Sequence, residues 1–159
     1  MNANPEQILI RPATIDDLSY ILRHRCSMFR DMGSATEAEL VGVAMVAEEF
    51  FRKAVPNGEY RGWLAVTQSG VVAGGAGITV VPWPGHPRET VPRRGWIQNV
   101  YTEPEFRRRG LARQLVETVI DWCRAEGFHT VSLHASHDGR ALYESMGFRP
   151  TNEMRLPLS

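Results

Sequence analysis

The stretch that most constrains this chain is Arg107-Arg108-Arg109-Gly110-Leu111-Ala112. An apolar run, Trp96-Ile97-Gln98-Asn99-Val100-Tyr101, precedes it and ends in Thr102-Glu103-Pro104-Glu105. Beyond it, Leu111 to Glu126 has helical periodicity. The predicted order is strand, short basic loop, helix. Free backbone N–H groups at a helix start point outward and carry partial positive charge. The three arginines add full charge, and Gly110 lets the backbone turn and approach a ligand. Such a corner suits a pyrophosphate. A solvated arginine cluster is the competing reading, but cations at a helix N-terminus oppose the dipole, which an anion in the site would relieve. The chain has no Gly-x-x-x-x-Gly-Lys-Ser/Thr run and no Gly-x-Gly-x-x-Gly after this strand.

A length of 159 residues predicts one domain with one core. The formal net charge is zero, which argues against a general nucleic-acid or anionic-membrane binder and leaves room for a local basic patch. No apolar run approaches the roughly 20 residues that span a bilayer. Met1-Asn2-Ala3-Asn4-Pro5-Glu6 lacks the basic region and apolar core of a signal peptide. Cys26 and Cys123 both fall on apolar stripes of predicted helices, which points to free thiols in a reduced, cytoplasmic protein.

Taken in order, Ile8-Leu9-Ile10 reads as a first strand. Thr14 with Asp17 is a capping box for a helix carrying Leu18, Ile21, Leu22, Cys26 and Phe29, with Gly33 as its stop. Thr36 with Glu39 opens a second helix to about Ala54, with Leu40, Val43, Ala47, Phe50 and Phe51 inward and Pro56 ending it. Trp63–Thr67 and Val71–Val81 form a hairpin through Ser69-Gly70, and Gly74, Gly75 and Gly77 predict a bulge in its second strand. The proline-rich segment from Pro82 to Arg94 is a loop. Strand Trp96–Thr102, the main helix Leu111–Glu126, strand Thr130–Ala135, a short helix from Gly139 to Met146 and a last strand over Asn152–Leu156 complete the order β-α-α-β-β-β-α-β-α-β. The expected class is α/β (α+β), with a mixed sheet covered by helices on both faces.

The motif Arg107-x-x-Gly110-x-Ala112 resembles the Arg/Gln-x-x-Gly-x-Gly/Ala signature of the GCN5-related N-acetyltransferase family, and Thr102–Phe106 is similar to its lead-in. Ala141-Leu142-Tyr143-Glu144-Ser145-Met146-Gly147-Phe148 resembles that family's second motif, with one residue fewer before the leucine. The likeness runs from about Ile8 to Leu156. It implies a mostly antiparallel central sheet whose fourth and fifth strands splay apart to admit acetyl-CoA. It further implies pantetheine pairing with the backbone of Val100, Tyr101 and Thr102. The pyrophosphate would rest on the N–H groups of Arg107, Arg108, Arg109, Gly110, Leu111 and Ala112, with help from Arg113. Where relatives often place an asparagine, this chain has Ala135-Ser136-His137-Asp138, so Ser136 is either its substitute or a helix cap.

By the same resemblance Tyr143 is the general acid. A phenol with pKa near ~10 is protonated at neutral pH and can hand its proton to a leaving thiolate. Leu142 and Met146, four apart, are the expected buried stripe of its helix, with Tyr143 beside them. Many relatives carry a glutamate on the fourth strand as base. Here that strand offers Gln98 and Asn99, and Gln98 can hold a water but cannot take a proton. Glu48 and Glu49 on the second helix and His134 are the remaining candidates, each also readable as an ordinary surface or structural residue. Met28, Phe29, Met32, Phe50 and Trp83 are readable either as acceptor pocket or as core. His134 and His137 do not form a metal motif, and no metal is expected.

The leading reading is an acyl-CoA-dependent N-acyltransferase that moves acetyl to a primary amine within a ternary complex. The partners are acetyl-CoA and an amine acceptor, with a homodimer possible by family habit, and without nucleic acid or membrane. A CoA-binding sensor on the same fold is the alternative, favoured by the missing strand carboxylate and opposed by Tyr143. A nucleic-acid binder using Arg93, Arg94 and Arg107–Arg109 is a third and weaker reading.

Overall fold

The computed structural model describes residues 6–158; Met1–Pro5, read above for a leader, lie outside them. Strand β1 (Ile8–Pro12) leads through a 3-10 turn at Ile15–Asp17 into α1 (Leu18–Asp31). Both predicted capping boxes form: Thr14 with Asp17, and Thr36 with Glu39 at the start of α2 (Glu37–Asn57). Pro56 does not end α2, contrary to expectation. It sits in the last turn, where it removes one i→i−4 hydrogen bond, and the helix runs one residue past it to Asn57 before Gly58 at φ +80° closes it.

Strands β2 (Tyr60–Thr67), β3 (Val72–Pro82) and β4 (Arg93–Thr102) follow as an antiparallel meander. Then come α3 (Leu111–Ala125), β5 (Ser132–Leu133) and α4 (Arg140–Ser145). The sheet runs β1-β2-β3-β4-β5, antiparallel except for the parallel pair β4·β5. One face carries α3, whose Leu111, Leu115, Val116, Val119 and Cys123 pack with Trp63, Ala73, Ala76, Ile78 and Ile97. Burying each of the leucine, isoleucine and valine side chains among them stabilises the fold by roughly 1.5–3 kcal/mol. The other face carries α1 and α2 through Leu18, Ile21, Ala47, Phe51, Ala54 and Tyr60.

Three further expectations change. The predicted last strand does not form among the described residues: Asn152–Leu156 has no regular structure, and Met154 and Leu156 are exposed. A strand exists by pairing, and β5 offers a ladder only two residues long. Phe50 lies exposed, because α2 turns Ala47, Phe51 and Ala54 inward and leaves Val41, Met45, Val46 and Phe50 on its outer side. On α4 the packing edge is Tyr143 and Met146 with the following Phe148; Leu142 does not join that core cluster.

The predicted bulge in β3 lies beside Gly74, where Ala73 is the extra residue against Ala65 and Val66 of β2, and a second bulge, not predicted, lies in β4 opposite the same glycines. Gly77 faces Gln98 while Gly75 faces Tyr101, so β4 holds one residue more than β3 over this step. Glycine is required opposite it: a Cβ on Gly77 would lie 2.0 Å from the Tyr60 hydroxyl oxygen.

Candidate active site

The β4·β5 ladder consists of Trp96↔Ser132 and Ile97↔Leu133. Beyond it β4 runs on through Gln98 to Thr102, with no strand on that side among the described residues. Unpaired N–H and C=O groups along such an edge seek a partner in an extended group. The Thr102 hydroxyl oxygen is buried and lacks a hydrogen-bond partner among the described residues. The expected splay between the fourth and fifth strands is therefore present. The fifth strand is shorter than expected: of Thr130–Ala135 only Ser132 and Leu133 form strand.

Two non-glycine residues adopt left-handed backbone among the described residues, Asn99 at φ +57° and Arg108 at φ +62°. Such conformations cost energy and persist where the surroundings fix them, often at functional sites. Asn99 is the β4 bulge. Its side chain is buried, donates from Nδ2 to the Tyr60 hydroxyl at 3.2 Å and accepts at Oδ1 from Arg25 Nη1 at 3.0 Å. Burial pushes the Tyr60 phenol up to about 12, so it stays protonated. The bulge brings the consecutive Gln98 to the same guanidinium, at 3.3 Å from its Oε1, while Gln98 Nε2 donates to the Thr79 hydroxyl.

Arg108 belongs to the basic loop. Gly110, at φ +75°, is the N-cap of α3, and its Cα faces open space. Left-handed residues two apart shape a concave run of N–H groups before the helix start, an arrangement that binds anions. Arg107 is committed otherwise. Its Nε donates to the Thr102 carbonyl oxygen at 2.9 Å, its Nη2 pairs with Asp31 at the end of α1, and its guanidinium lies 5.4 Å from the Tyr101 ring centroid. Arg109 lies over Phe106, and Arg113 reaches across to α4, donating to Ser145 Oγ at 2.6 Å. Leu111 is buried under the helix start and Ala112 follows it. Val100 is half-buried on β4, and Tyr101 is buried against His24.

The second motif follows β5 through a turn and forms α4. Ser136 Oγ accepts from Gly139 N–H at 3.0 Å, so it caps the turn into α4. A Cβ on Gly139 would touch both Ser136 Oγ and the Tyr143 ring at 3.0 Å, which places these three together. The Tyr143 ring packs edge-on to Phe148. Desolvation raises the pKa of Tyr143 and no charge opposes it, so its phenol is protonated at neutral pH.

The base candidates lie apart. The Glu48 carboxylate is paired with Arg52 on the exposed side of α2, and Glu49 with Lys53. His134 stacks on Trp96 at 4.9 Å and contacts Glu153 at 3.1 Å, with a largely exposed side chain. Met28 and Phe29 are half-buried on α1, whereas Met32 and Trp83 are exposed. No group of three or more His, Cys, Asp or Glu suited to a metal occurs among the described residues.

Sequence reasoning missed several groups. Arg25 was absent from the site, and nothing along the helix sets it apart from Arg23 and Arg30. Asn99 was read only as a poor base, although asparagine within an apolar strand is also the residue type that tolerates left-handed backbone. Glu103, inside the lead-in, is buried; it pairs with Arg23, and its Oε1 lies 3.5 Å from His24 Nε2. Glu89, in the proline-rich loop, accepts from Thr130 and His129 N–H groups. Burial alone would raise its pKa, but those hydrogen bonds outweigh it and hold the carboxyl below its usual range.

This architecture is found in known proteins. A GCN5-related N-acetyltransferase from Ralstonia eutropha JMP134 superposes with a TM-score of 0.90 at 33% identity, over 96% of this chain and 99% of that one. A predicted acetyltransferase from Clostridium acetobutylicum, solved with acetyl-CoA, superposes with a TM-score of 0.85 at 25% identity, over 96% of each chain. Human N-acetyltransferase 8 is 34% identical over 64 residues, 38% of this chain and 28% of that relative, so the match spans under a third of its length. The profile of the acetyltransferase (GNAT) family matches residues 35–148, the segment holding the bulged strand, the basic loop and Tyr143. The chain belongs to the acetyltransferase (GNAT) family.

Proposed function

We propose that this protein transfers an acetyl group from acetyl-CoA to a primary amine by direct attack within a ternary complex. The carrying observation is the unpaired edge of β4 from Gln98 to Thr102, which runs directly into the basic loop before α3. The pantetheine arm pairs with Val100, Tyr101 and Thr102 as an added strand. The pyrophosphate sits on the N–H groups of Arg108 to Ala112, with Arg107 holding that loop against Thr102. The printed description of the Clostridium neighbour, solved with acetyl-CoA, supports this co-substrate. Backbone N–H groups at the Asn99 bulge polarise the thioester carbonyl. Tyr143, protonated at neutral pH, gives its proton to the departing thiolate.

Gln98 holds a water rather than taking a proton, its amide already oriented by Thr79 and Arg25. Glu48 is engaged by Arg52, so the acceptor amine loses its proton to solvent through that water. We further infer a single catalytic domain, a cytoplasmic setting consistent with two free thiols, and a homodimer. The homodimer rests on Met154, Leu156 and Leu158. These are large apolar side chains left exposed in a tail without regular structure, and a second copy would cover them. Light scattering that gives a monomer at micromolar concentration would remove the homodimer.

Thermal unfolding with saturating acetyl-CoA tests the donor site. At 100 times Kd the folded state gains about 2.7 kcal/mol by linkage. No rise in midpoint would overturn the site. Thiol release from acetyl-CoA with a panel of amines then separates an enzyme from a CoA-binding sensor.

A further inference from the structure

Three arginines lie on α1, and two have carboxylate partners: Arg23 pairs with Glu103 and Arg30 with Glu37. Arg25 has none among the described residues. It is nonetheless half-buried, and its Nη1 contacts are two neutral amide oxygens, Gln98 Oε1 and Asn99 Oδ1. The Phe29 ring, 5.1 Å from its guanidinium carbon, adds a cation–π contact but no counter-charge. Desolvation lowers its pKa, yet a guanidinium remains charged at neutral pH. A cation held out of water without an anion is costly unless a ligand supplies one. A planar fork with further N–H groups to offer matches a carboxylate or phosphate.

Its position gives the charge a use. Gln98 and Asn99 are where β4 leaves β5 and the open edge begins. On the same strand Trp96, stacked on His134, stands two residues before Gln98. We propose that Arg25 binds an anionic group, a carboxylate or a phosphate, on the acceptor amine, so that the acceptor is an amino-bearing anion. This rests on the donor-site reading above, because it locates the acceptor by the bulge where the thioester would lie.

The first measurement is thermal unfolding of CoA-saturated protein, with the phosphate loop already occupied, in the presence of matched probes. The carboxylate arm compares amino acids with their amides. The phosphate arm compares D-glucosamine 6-phosphate with D-glucosamine. In at least one arm the anionic member should stabilise the wild type and its neutral partner should not. Arg25→Gln should abolish that difference, and Arg25→Lys, keeping the charge without the fork, should restore part of it.

The second measurement is thiol release with the same pairs. For the preferred pair the wild type should favour the anionic acceptor in kcat/KM by about 10²-fold, mostly through KM. Arg25→Gln should bring that ratio toward one. The arm that responds identifies carboxylate or phosphate. Overturning results are equal stabilisation by anionic and neutral members in both arms, or equal loss of both in Arg25→Gln with the preference intact. Failure of CoA itself to bind would instead strike the donor site, a separate outcome.

Discussion

Arg107 Nε donates to the carbonyl oxygen of Thr102 at 2.9 Å, tying the start of the basic loop to the end of β4. The same side chain pairs with Asp31 at the end of α1. One arginine thus ties together the end of β4, the basic loop and the end of α1. Arg107→Ala should cost little stability, because a partly exposed ion pair contributes about 0–1 kcal/mol. Acetyl-CoA affinity should fall by about 10-fold as the loop loses its anchor. Calorimetric titration beside a melting curve checks both; unchanged affinity would make Arg107 a surface residue.

Gly110 has φ +75° with no atom near its missing Cβ, so its constraint is conformational and not steric crowding. Gly110→Ala should lower stability by about 1–2 kcal/mol, the cost of left-handed backbone for an L-residue. Gly110→Glu should carry a similar cost and also abolish stabilisation by acetyl-CoA, because its carboxylate would enter the space proposed for the pyrophosphate. Equal CoA affinity in the folded Ala and Glu variants would put the phosphates elsewhere.

Tyr143→Phe removes a hydroxyl and keeps the ring that packs on Phe148. Fold and acetyl-CoA affinity should persist. Single-turnover transfer should slow by about 10²-fold if proton donation limits it. Desolvation raises the Tyr143 pKa, so the phenol is lost as a donor only above the ordinary tyrosine value near ~10. The rate should therefore show no fall assignable to Tyr143 between pH 7 and about 10. Equal single-turnover rates for variant and parent would leave Tyr143 as packing.

His24 is buried, and its pKa is lowered to about 4, first by desolvation and then by Arg23. Glu103 lies nearby, but its charge is already met by Arg23. The unfolded chain takes up the proton near the ordinary value of ~6.5, before the folded protein does. The His24 contribution is therefore complete above that value and lost as pH falls through the window toward 4. Its full span is about 3 kcal/mol. Urea unfolding at pH 7 and pH 4.5, with an NMR titration of the His24 ring, measures this. A ring titrating near ~6.5 would show that water reaches it.

The sequence by itself determined what is local. The capping boxes at Thr14 and Thr36, the apolar stripe of α3, the Ser69-Gly70 turn and the basic loop all depend on residues within a few positions of one another. Their physics is contained in short segments, and so were the family motifs at Arg107–Ala112 and Ala141–Phe148. Glycine clustering in β3 also predicted irregular pairing, because a strand without side chains is where another backbone can approach. Tertiary structure decided whatever needed a distant partner. Asn99 takes its left-handed backbone in a setting built by Tyr60 and Arg25, residues 39 and 74 positions away. The open edge of β4 exists because β5 pairs for only two residues, and the same shortness leaves Asn152–Leu156 without a strand to join. Arg25 was indistinguishable from Arg23 and Arg30 along the chain. Which of the three lacks a carboxylate depends on where Glu103 and Glu37 arrive in space, and no periodicity within one helix encodes that.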